Sequence, residues 1–152
     1  MAMNVMQYLD ARKDNRGRVV DFRLQPEGKT LTAEVITDDR KTDVLVAFSE
    51  AFGKFAKEKG LTTSQIRNVF GEVKKIEMNW SRDPEGSWIQ LQLLRPKLAY
   101  AARKANSAGV CALREVLSEA ITQVKKGDEA DFRRFSNFFE AILAYHRAAG
   151  GQ

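Results

Sequence analysis

Apolar residues recur every three or four positions from about Thr42 to the end of the chain, and this period limits what the chain can fold into. Between residues 42 and 59, Leu45, Phe48, Phe52 and Phe55 stand at i, i+3, i+7 and i+10. These positions share one face of an α-helix, which Gly60 is expected to end. A chain with this period over a hundred residues is predicted to be mainly α-helical.

Four further helices are predicted, each opened by a residue that can cap it. The caps are Thr62, Asp83, Ser107 and Asp128, and Thr62 forms a capping box with Gln65. Pro96 lies inside the helix that follows Asp83, where a missing backbone donor predicts a kink or a break. Five helices joined by short loops predict a single-domain bundle.

Residues 1–41 follow a different pattern, with apolar residues at every second position. These are Val20, Phe22 and Leu24 before Pro26-Glu27-Gly28, and Leu31, Ala33 and Val35 after it. The alternation favours a short β-hairpin, whereas residues 10–18 taken alone are typical of a disordered extension. We therefore divide the chain into an N-terminal extension, 1–41, and a helical domain, 42–152.

The composition excludes several classes of protein. Cys111 is the only cysteine, so no internal disulfide and no cysteine-based zinc site can form. Charges interrupt the first 18 residues where a signal peptide would be apolar, and no run of about 18 apolar residues occurs. We expect a cytoplasmic protein that neither enters a membrane nor carries a metal or cofactor.

No constellation typical of catalysis is present. The only histidine, His146, has no acid or hydroxyl at a spacing that would make it a general base. Cys111 lies between apolar residues, which favours packing over reactivity. No glycine-rich phosphate loop occurs. We predict that the chain is not an enzyme, with a small RNA-cleaving enzyme that uses His146 as the less favoured alternative.

Basic residues are the strongest functional signal. The chain has 25 Lys and Arg against 20 Asp and Glu, and its isoelectric point is near 9.4. Arg67, Lys74 and Lys75 stand at i, i+7 and i+8 of one predicted helix, on the side opposite its apolar stripe. Gly71 between them costs helix stability, so it indicates close approach either of a sugar-phosphate backbone or of a neighbouring helix.

The next predicted helix continues the positive charge with Lys97, Arg103 and Lys104. Arginine and lysine side chains on a helix can bind phosphates without reading base sequence. The last helix offers a weaker candidate for phosphate or partner contact, made of Arg133, Arg134 and Asn137. The alternative for each set is an ordinary solvated helix face.

Three stretches together resemble the small subunit of type III-A CRISPR (Csm) effector complexes. They are LTTSQIRNVFGEVKKIE at 61–77, LLRPKLAYAARK at 93–104 and FRRFSNFFEAILAYHR at 132–147. The resemblance covers roughly residues 44–148 and leaves the first forty residues outside it. It implies an all-helical, non-catalytic subunit, present in several copies stacked head to tail, that lines the groove holding target RNA paired with crRNA.

The resemblance also implies partners, namely the backbone subunits and the large polymerase-like subunit of the complex. On the matching motifs, phosphate contact would fall to Arg67, Lys74, Lys75, Lys97, Arg103 and Lys104. The resulting hypothesis is sequence-independent binding of the crRNA–target RNA backbone in antiviral defence. The first alternative is a purely protein–protein scaffold, in which the same charges dock sister subunits.

Overall fold

The computed structural model of the chain describes residues 3–150 and is mainly helical. Six α-helices occur within the described residues, and they are α1 Pro26–Thr37, α2 Thr42–Glu58, α3 Thr63–Asn79, α4 Pro84–Ala105, α5 Ala108–Gln123 and α6 Glu129–Ala148. Two strands, β1 Leu9–Lys13 and β2 Val19–Leu24, precede them. The mainly α fold with a short N-terminal hairpin is therefore confirmed.

The hairpin pairs β1 with β2 in antiparallel register, with Leu9 opposite Leu24. Asp14 closes its turn, because one carboxylate oxygen accepts hydrogen bonds from the backbone N–H groups of Arg16 and Arg18. Gly17 in the same turn has a φ of 78°, a left-handed conformation that glycine adopts without strain.

The predicted pairing inside the N-terminal extension was wrong. Residues 31–35 form part of α1 instead of a strand, and residues 10–18 form β1 and the turn instead of a disordered segment. Leu31 and Val35 are four residues apart and both buried, so the same apolar residues also fit a helical period. Pro26 is the first residue of α1, where proline is favoured, and does not turn the chain between two strands.

One hydrophobic core joins the hairpin and all six helices. Leu9, Phe22 and Val35 from the N-terminal segment are at most 1% exposed and belong to the same cluster as the helices. Helix α2 crosses α6 at Gly53, where an added Cβ would lie 2.8 Å from the backbone nitrogen of His146. Glycine at this position therefore permits the close approach of the two helices.

The four predicted caps are all formed, and they fix where α3 to α6 begin. Thr62 and Gln65 make both hydrogen bonds of the capping box, at 3.2 and 2.9 Å. The side chains of Asp83, Ser107 and Asp128 each accept a backbone N–H from the first turn that follows. Helix α4 runs through Pro96 without a break, so the break allowed for at that position does not occur.

Candidate nucleic-acid interface

Helices α3 and α4 form a helical hairpin that presents one side to solvent. Their apolar stripes are buried, with Ile66, Val73 and Ile76 from α3 and Leu91, Leu94 and Leu98 from α4. The linker between them is anchored by Trp80, whose ring stacks on Phe132 of α6 with centroids 4.4 Å apart. The opposite sides of both helices stay exposed, and we call this surface the outer face.

Four of the predicted RNA-binding residues lie exposed on the outer face, and they are Arg67, Lys75, Lys97 and Lys104. Glu72 joins the two helices electrostatically, since its carboxylate lies 3.9 Å from Nζ of Lys75 and 3.8 Å from Nζ of Lys97. These distances are long for direct ion pairs between exposed groups, so the contribution to stability is small. One carboxylate shared by two lysines leaves this part of the surface positive.

Gly71 lies between Arg67 and Lys75 in open space. A Cβ added to Gly71 would meet no atom within 4 Å. The interpretation that Gly71 permits close packing against a neighbouring helix is therefore wrong for this chain.

Lys74 lies at the edge of the outer face, beside α6. Its Nζ donates a 2.9 Å hydrogen bond to Glu77 and stands 5.5 Å from the centre of the Phe70 ring. The hydrogen bond to Glu77 raises the pKa of Lys74, with a further attraction from Glu140. Ser136 of α6 donates to the same Glu77 carboxylate oxygen at 3.2 Å, so Lys74 helps to join α3 to α6.

Arg103 lies on a different side of α4 from Lys97 and Lys104. It lines a groove of about 540 Å³ between α4, α5 and β2, together with Arg114 and Cys111. A second groove of about 440 Å³ continues it along α4 and α5 and is lined by Arg95 and Arg114. We call the two together the α4–α5 groove.

Sequence reasoning did not assign Arg95 and Arg114 to any site. Arg95 and Arg103 are eight residues apart on α4, a spacing that could have grouped them. The packing of α5 against this side of α4, which brings Arg114 to them, has no local signal in the sequence.

The weaker candidate on α6 separates into exposed and structural residues. Arg133 and Asn137 are exposed, whereas the Arg134 side chain is only 16% exposed. Arg134 donates to the backbone oxygen of Ile36 at 2.5 Å and to the carboxylates of Asp39 and Asp131 at 2.6 and 2.8 Å. The hydrogen bonds to Asp131 and Asp39 raise the pKa of Arg134, and the contacts with Ile36 and Asp39 tie α6 to the end of α1.

Large apolar side chains also reach solvent on the α3–α4 hairpin. They are Met78, Ile89, Leu93 and Tyr100, with exposures of 79, 55, 45 and 69%. On α4, Ile89 and Leu93 are separated by four residues and Leu93 and Tyr100 by seven, so they form one stripe. The outer face therefore combines positive charge with apolar surface.

His146 and Cys111 are placed as packing residues. His146 is fully buried, and its Nε2 lies 2.6 Å from the backbone oxygen of Leu61, which requires Nε2 to carry the proton. Burial raises the pKa of the half-buried Cys111 thiol. Among residues 3–150, no group of three His, Cys, Asp or Glu side chains could hold a metal ion, and no helix is long and apolar enough to cross a membrane.

The fold and its charged surfaces define a small helical bundle that presents basic helix faces to its surroundings. A family model described as Csm2 Type III-A matches residues 39–152, which is well over half of the chain. The chain therefore belongs to the Csm2 family, the small subunit of type III-A CRISPR complexes, and the resemblance drawn from its motifs is confirmed. No curated protein and no solved structure matched the chain.

Proposed function

We propose that this small subunit binds the phosphate backbone of crRNA paired with target RNA on the outer face of the α3–α4 hairpin. The observation that carries the proposal is that Arg67, Lys75, Lys97 and Lys104 are exposed on two adjacent helices, where Lys75 and Lys97 share Glu72. Long cationic side chains on a convex helical surface can follow a phosphate backbone, because each contact needs charge and reach but no fixed pocket.

Gly71 supports this assignment. A glycine inside a helix costs about 1 kcal/mol relative to alanine, and no atom of residues 3–150 requires it here. An RNA backbone that approaches α3 between Arg67 and Lys75 would explain why glycine stands at this position. Sequence specificity would come from base pairing to the guide, so the protein binds every target alike.

The test is the salt dependence of affinity for an RNA duplex and for a single-stranded RNA. Removing two phosphate contacts in Lys75→Gln/Lys97→Gln should reduce the magnitude of the negative slope of log K against log salt by about 1.8 on an RNA duplex. Lys29→Gln/Lys126→Gln is the matched control, since both of its lysines are exposed and lie elsewhere.

Equal slopes in the wild type and in Lys75→Gln/Lys97→Gln would contradict the proposal. So would a variant that binds one target sequence in preference to another, because phosphate contacts carry no base information.

A scaffold role is the second candidate, and the exposed Met78, Ile89, Leu93 and Tyr100 favour it. Apolar side chains grouped beside charge are typical of protein–protein interfaces. The partners would be the backbone subunits, the large polymerase-like subunit and further copies of this chain stacked head to tail or paired as a dimer. Residues 42–152 would then be the stacking domain, and residues 1–41 an addition to it.

Co-purification of the complex separates the two candidates. If the scaffold role alone applies, Arg67→Ala or Lys97→Ala releases partner subunits before it weakens RNA binding. If the phosphate role applies, partner subunits remain bound to Arg67→Ala and to Lys97→Ala. Only Met78→Ser/Tyr100→Ser then loses them.

Catalysis by His146 is the least favoured candidate. Its ring is fully buried and its Nε2 hydrogen is engaged by Leu61, so an RNA strand on the surface cannot contact it. We expect purified protein to leave RNA intact, and to act without cofactor in the cytoplasm as part of antiviral defence. RNA cleavage that disappears in His146→Gln, with folding unchanged, would overturn this part of the proposal.

A further inference from the structure

We infer that the α4–α5 groove is a second binding site for the phosphodiester backbone of RNA, separate from the outer face. The class of ligand, RNA, is taken from the proposed function, on which the inference therefore rests. The position of the site is taken from the groove itself, and the residues that carry the inference are Arg95, Arg103 and Arg114.

The groove concentrates positive charge that its lining compensates only in part. Arg95 and Arg103 are exposed on α4, and Arg114 faces them half-buried from α5. None of the three forms an ion pair with a carboxylate in the described part of the chain. Like charges that share a groove repel one another, so an anion in the groove would lower the electrostatic energy.

Among the described residues Asp21 is the one acid that lines the groove, so three arginines share the groove with one carboxylate. Its carboxylate accepts a 2.8 Å hydrogen bond from the backbone N–H of Phe22, next in the chain. The remaining lining residues are small or uncharged, and they are Val20, Gln92, Pro96, Ala99, Ala102, Asn106, Cys111 and Ser118.

This lining favours a backbone over a folded partner. Among the described residues no aromatic ring lines the groove to stack on a base, and the alanines of α4 leave room for an RNA strand. Arg95 and Arg103 are separated by eight residues, which is roughly 12 Å along a helix. Guanidinium groups spaced along a groove can bind phosphates of one strand bidentately.

The β-hairpin forms one wall of this groove. Cys111 Sγ lies 3.8 Å from the backbone oxygen of Val20, and Glu115 accepts a 2.9 Å hydrogen bond from the N–H of Leu24. The tip of the hairpin, with Arg16 and Arg18, therefore lies toward the Cys111 end of the groove. The hairpin precedes the residues that the family model matches, so this wall is an addition to the matched region.

Cys111 provides the test, because it is the only cysteine and lines the groove. The rate of its alkylation by iodoacetamide is measured with and without saturating polyuridylate, and with and without an RNA duplex, while binding is followed by fluorescence anisotropy. Occupation of the groove should slow alkylation severalfold. Comparing strand and duplex identifies which form of RNA the groove takes.

The variants are Arg95→Gln/Arg114→Gln and, for the outer face, Lys75→Gln/Lys97→Gln. Arg114 lowers and Asp21 raises the pKa of Cys111, so Arg114→Gln alters the basal rate, and only the ratio of rates with and without RNA is compared. RNA should protect Cys111 in the wild type and in Lys75→Gln/Lys97→Gln, but not in Arg95→Gln/Arg114→Gln. The single variant Arg95→Gln, at an exposed position, should weaken protection without affecting folding.

Each other outcome overturns one specific statement. RNA that binds the wild type and leaves the alkylation rate unchanged overturns the groove site while the outer face stands. Unchanged affinity and salt slope in Lys75→Gln/Lys97→Gln, with Cys111 still protected, overturns the outer face while the groove stands. Protection by polyglutamate equal to that by RNA at the same ionic strength overturns the groove site in favour of an acidic protein segment.

Discussion

Two glycines inside helices have opposite surroundings, and the difference decides what each contributes. Gly53 on α2 meets the backbone of α6, with the carbonyl oxygen of Ile142 2.9 Å from the position of an added Cβ. Gly71 on α3 meets nothing. Gly53 therefore serves packing, whereas Gly71 lowers helix stability without a benefit inside the chain.

Substituting these glycines by alanine should change stability in opposite directions. Gly71→Ala should raise the free energy of unfolding by about 0.5–1 kcal/mol, because alanine loses less conformational entropy on folding. Gly53→Ala should lower it by about 1–3 kcal/mol, because the methyl group overlaps backbone atoms. Urea unfolding measures both changes in stability.

The outer-face proposal adds a prediction about binding, namely that Gly71→Ala binds RNA more weakly although it is more stable. Unchanged RNA affinity in Gly71→Ala would count against a close backbone approach.

Two adjacent arginines on α6, Arg133 and Arg134, also differ in their surroundings and therefore in what each contributes to stability. Arg134 links Ile36, Asp39 and Asp131, and Asp131 is only 2% exposed. Arg133 has one contact, 3.5 Å to Glu129, and is exposed.

Arg134→Ala should lower the free energy of unfolding by about 2–4 kcal/mol, since it leaves the buried carboxylate of Asp131 without its cation. Arg133→Ala, the matched control, should change it by no more than about 0.5 kcal/mol. Thermal and urea unfolding measure the difference. Equal effects of the two substitutions would show that Arg134 does not hold α6 to α1.

Local signals in the sequence predicted individual residues well where their partners are near in the chain. The caps at Thr62, Asp83, Ser107 and Asp128 depend on groups three residues away, and all four formed. Arg134 was considered as a surface contact because Asp39, 95 residues earlier, cannot be inferred from spacing. Its structural role depends on how α1 meets α6.

At the level of elements, the sequence predicted those helices whose ends are marked by local signals. The prediction of secondary structure failed where the same apolar residues fit both a strand period and a helix period. Leu31 and Val35 satisfy both a period of two and a helical spacing, so α1 was predicted as a strand. Strand β1 was missed because only Leu9 of its five residues is buried and the rest carry no apolar pattern. Pairing with β2 and packing on the helices stabilise it instead.

The hairpin packs into the same core as the helices, so loss of its buried contacts should lower the free energy of unfolding of the whole bundle. Phe22 on β2 is 1% exposed and contacts the edge of the Phe55 ring with centroids 5.5 Å apart. Phe22→Ala should lower the free energy of unfolding by about 3–5 kcal/mol, as for other buried phenylalanines. Val20→Ala, at a position 53% exposed on the same strand, is the control and should have a small effect. A small effect of Phe22→Ala would mean that the hairpin folds as a separate appendage.

The geometry of helix α4 also explains why the predicted RNA-binding residues lie on two different surfaces. Lys97 and Lys104 are seven residues apart and lie about 20° apart around the helix, whereas Arg103 lies about 120° from Lys97. The spacing alone could have separated Arg103 from the two lysines. Which helix covers each side of α4 is a property of the tertiary fold, and only the structure shows that α3 lies on one side and α5 on the other.

At the scale of the whole molecule, charge is distributed over two surfaces of one bundle. The outer face and the α4–α5 groove lie on different sides of α4, which is packed between α3 and α5. A chain with two such surfaces can contact two segments of RNA at once, and binding at one raises the effective concentration of RNA at the other.

The two surfaces should contribute independently to the salt dependence of RNA binding. Each pair of substitutions, Lys75→Gln/Lys97→Gln and Arg95→Gln/Arg114→Gln, should reduce the magnitude of the negative slope of log K against log salt by about 1.4 on single-stranded RNA. The quadruple variant should lower it by the sum, because the surfaces share no residue. Anisotropy titrations at several salt concentrations measure all four slopes. A quadruple variant no weaker than one of the pairs would show that the other surface makes no phosphate contact of its own.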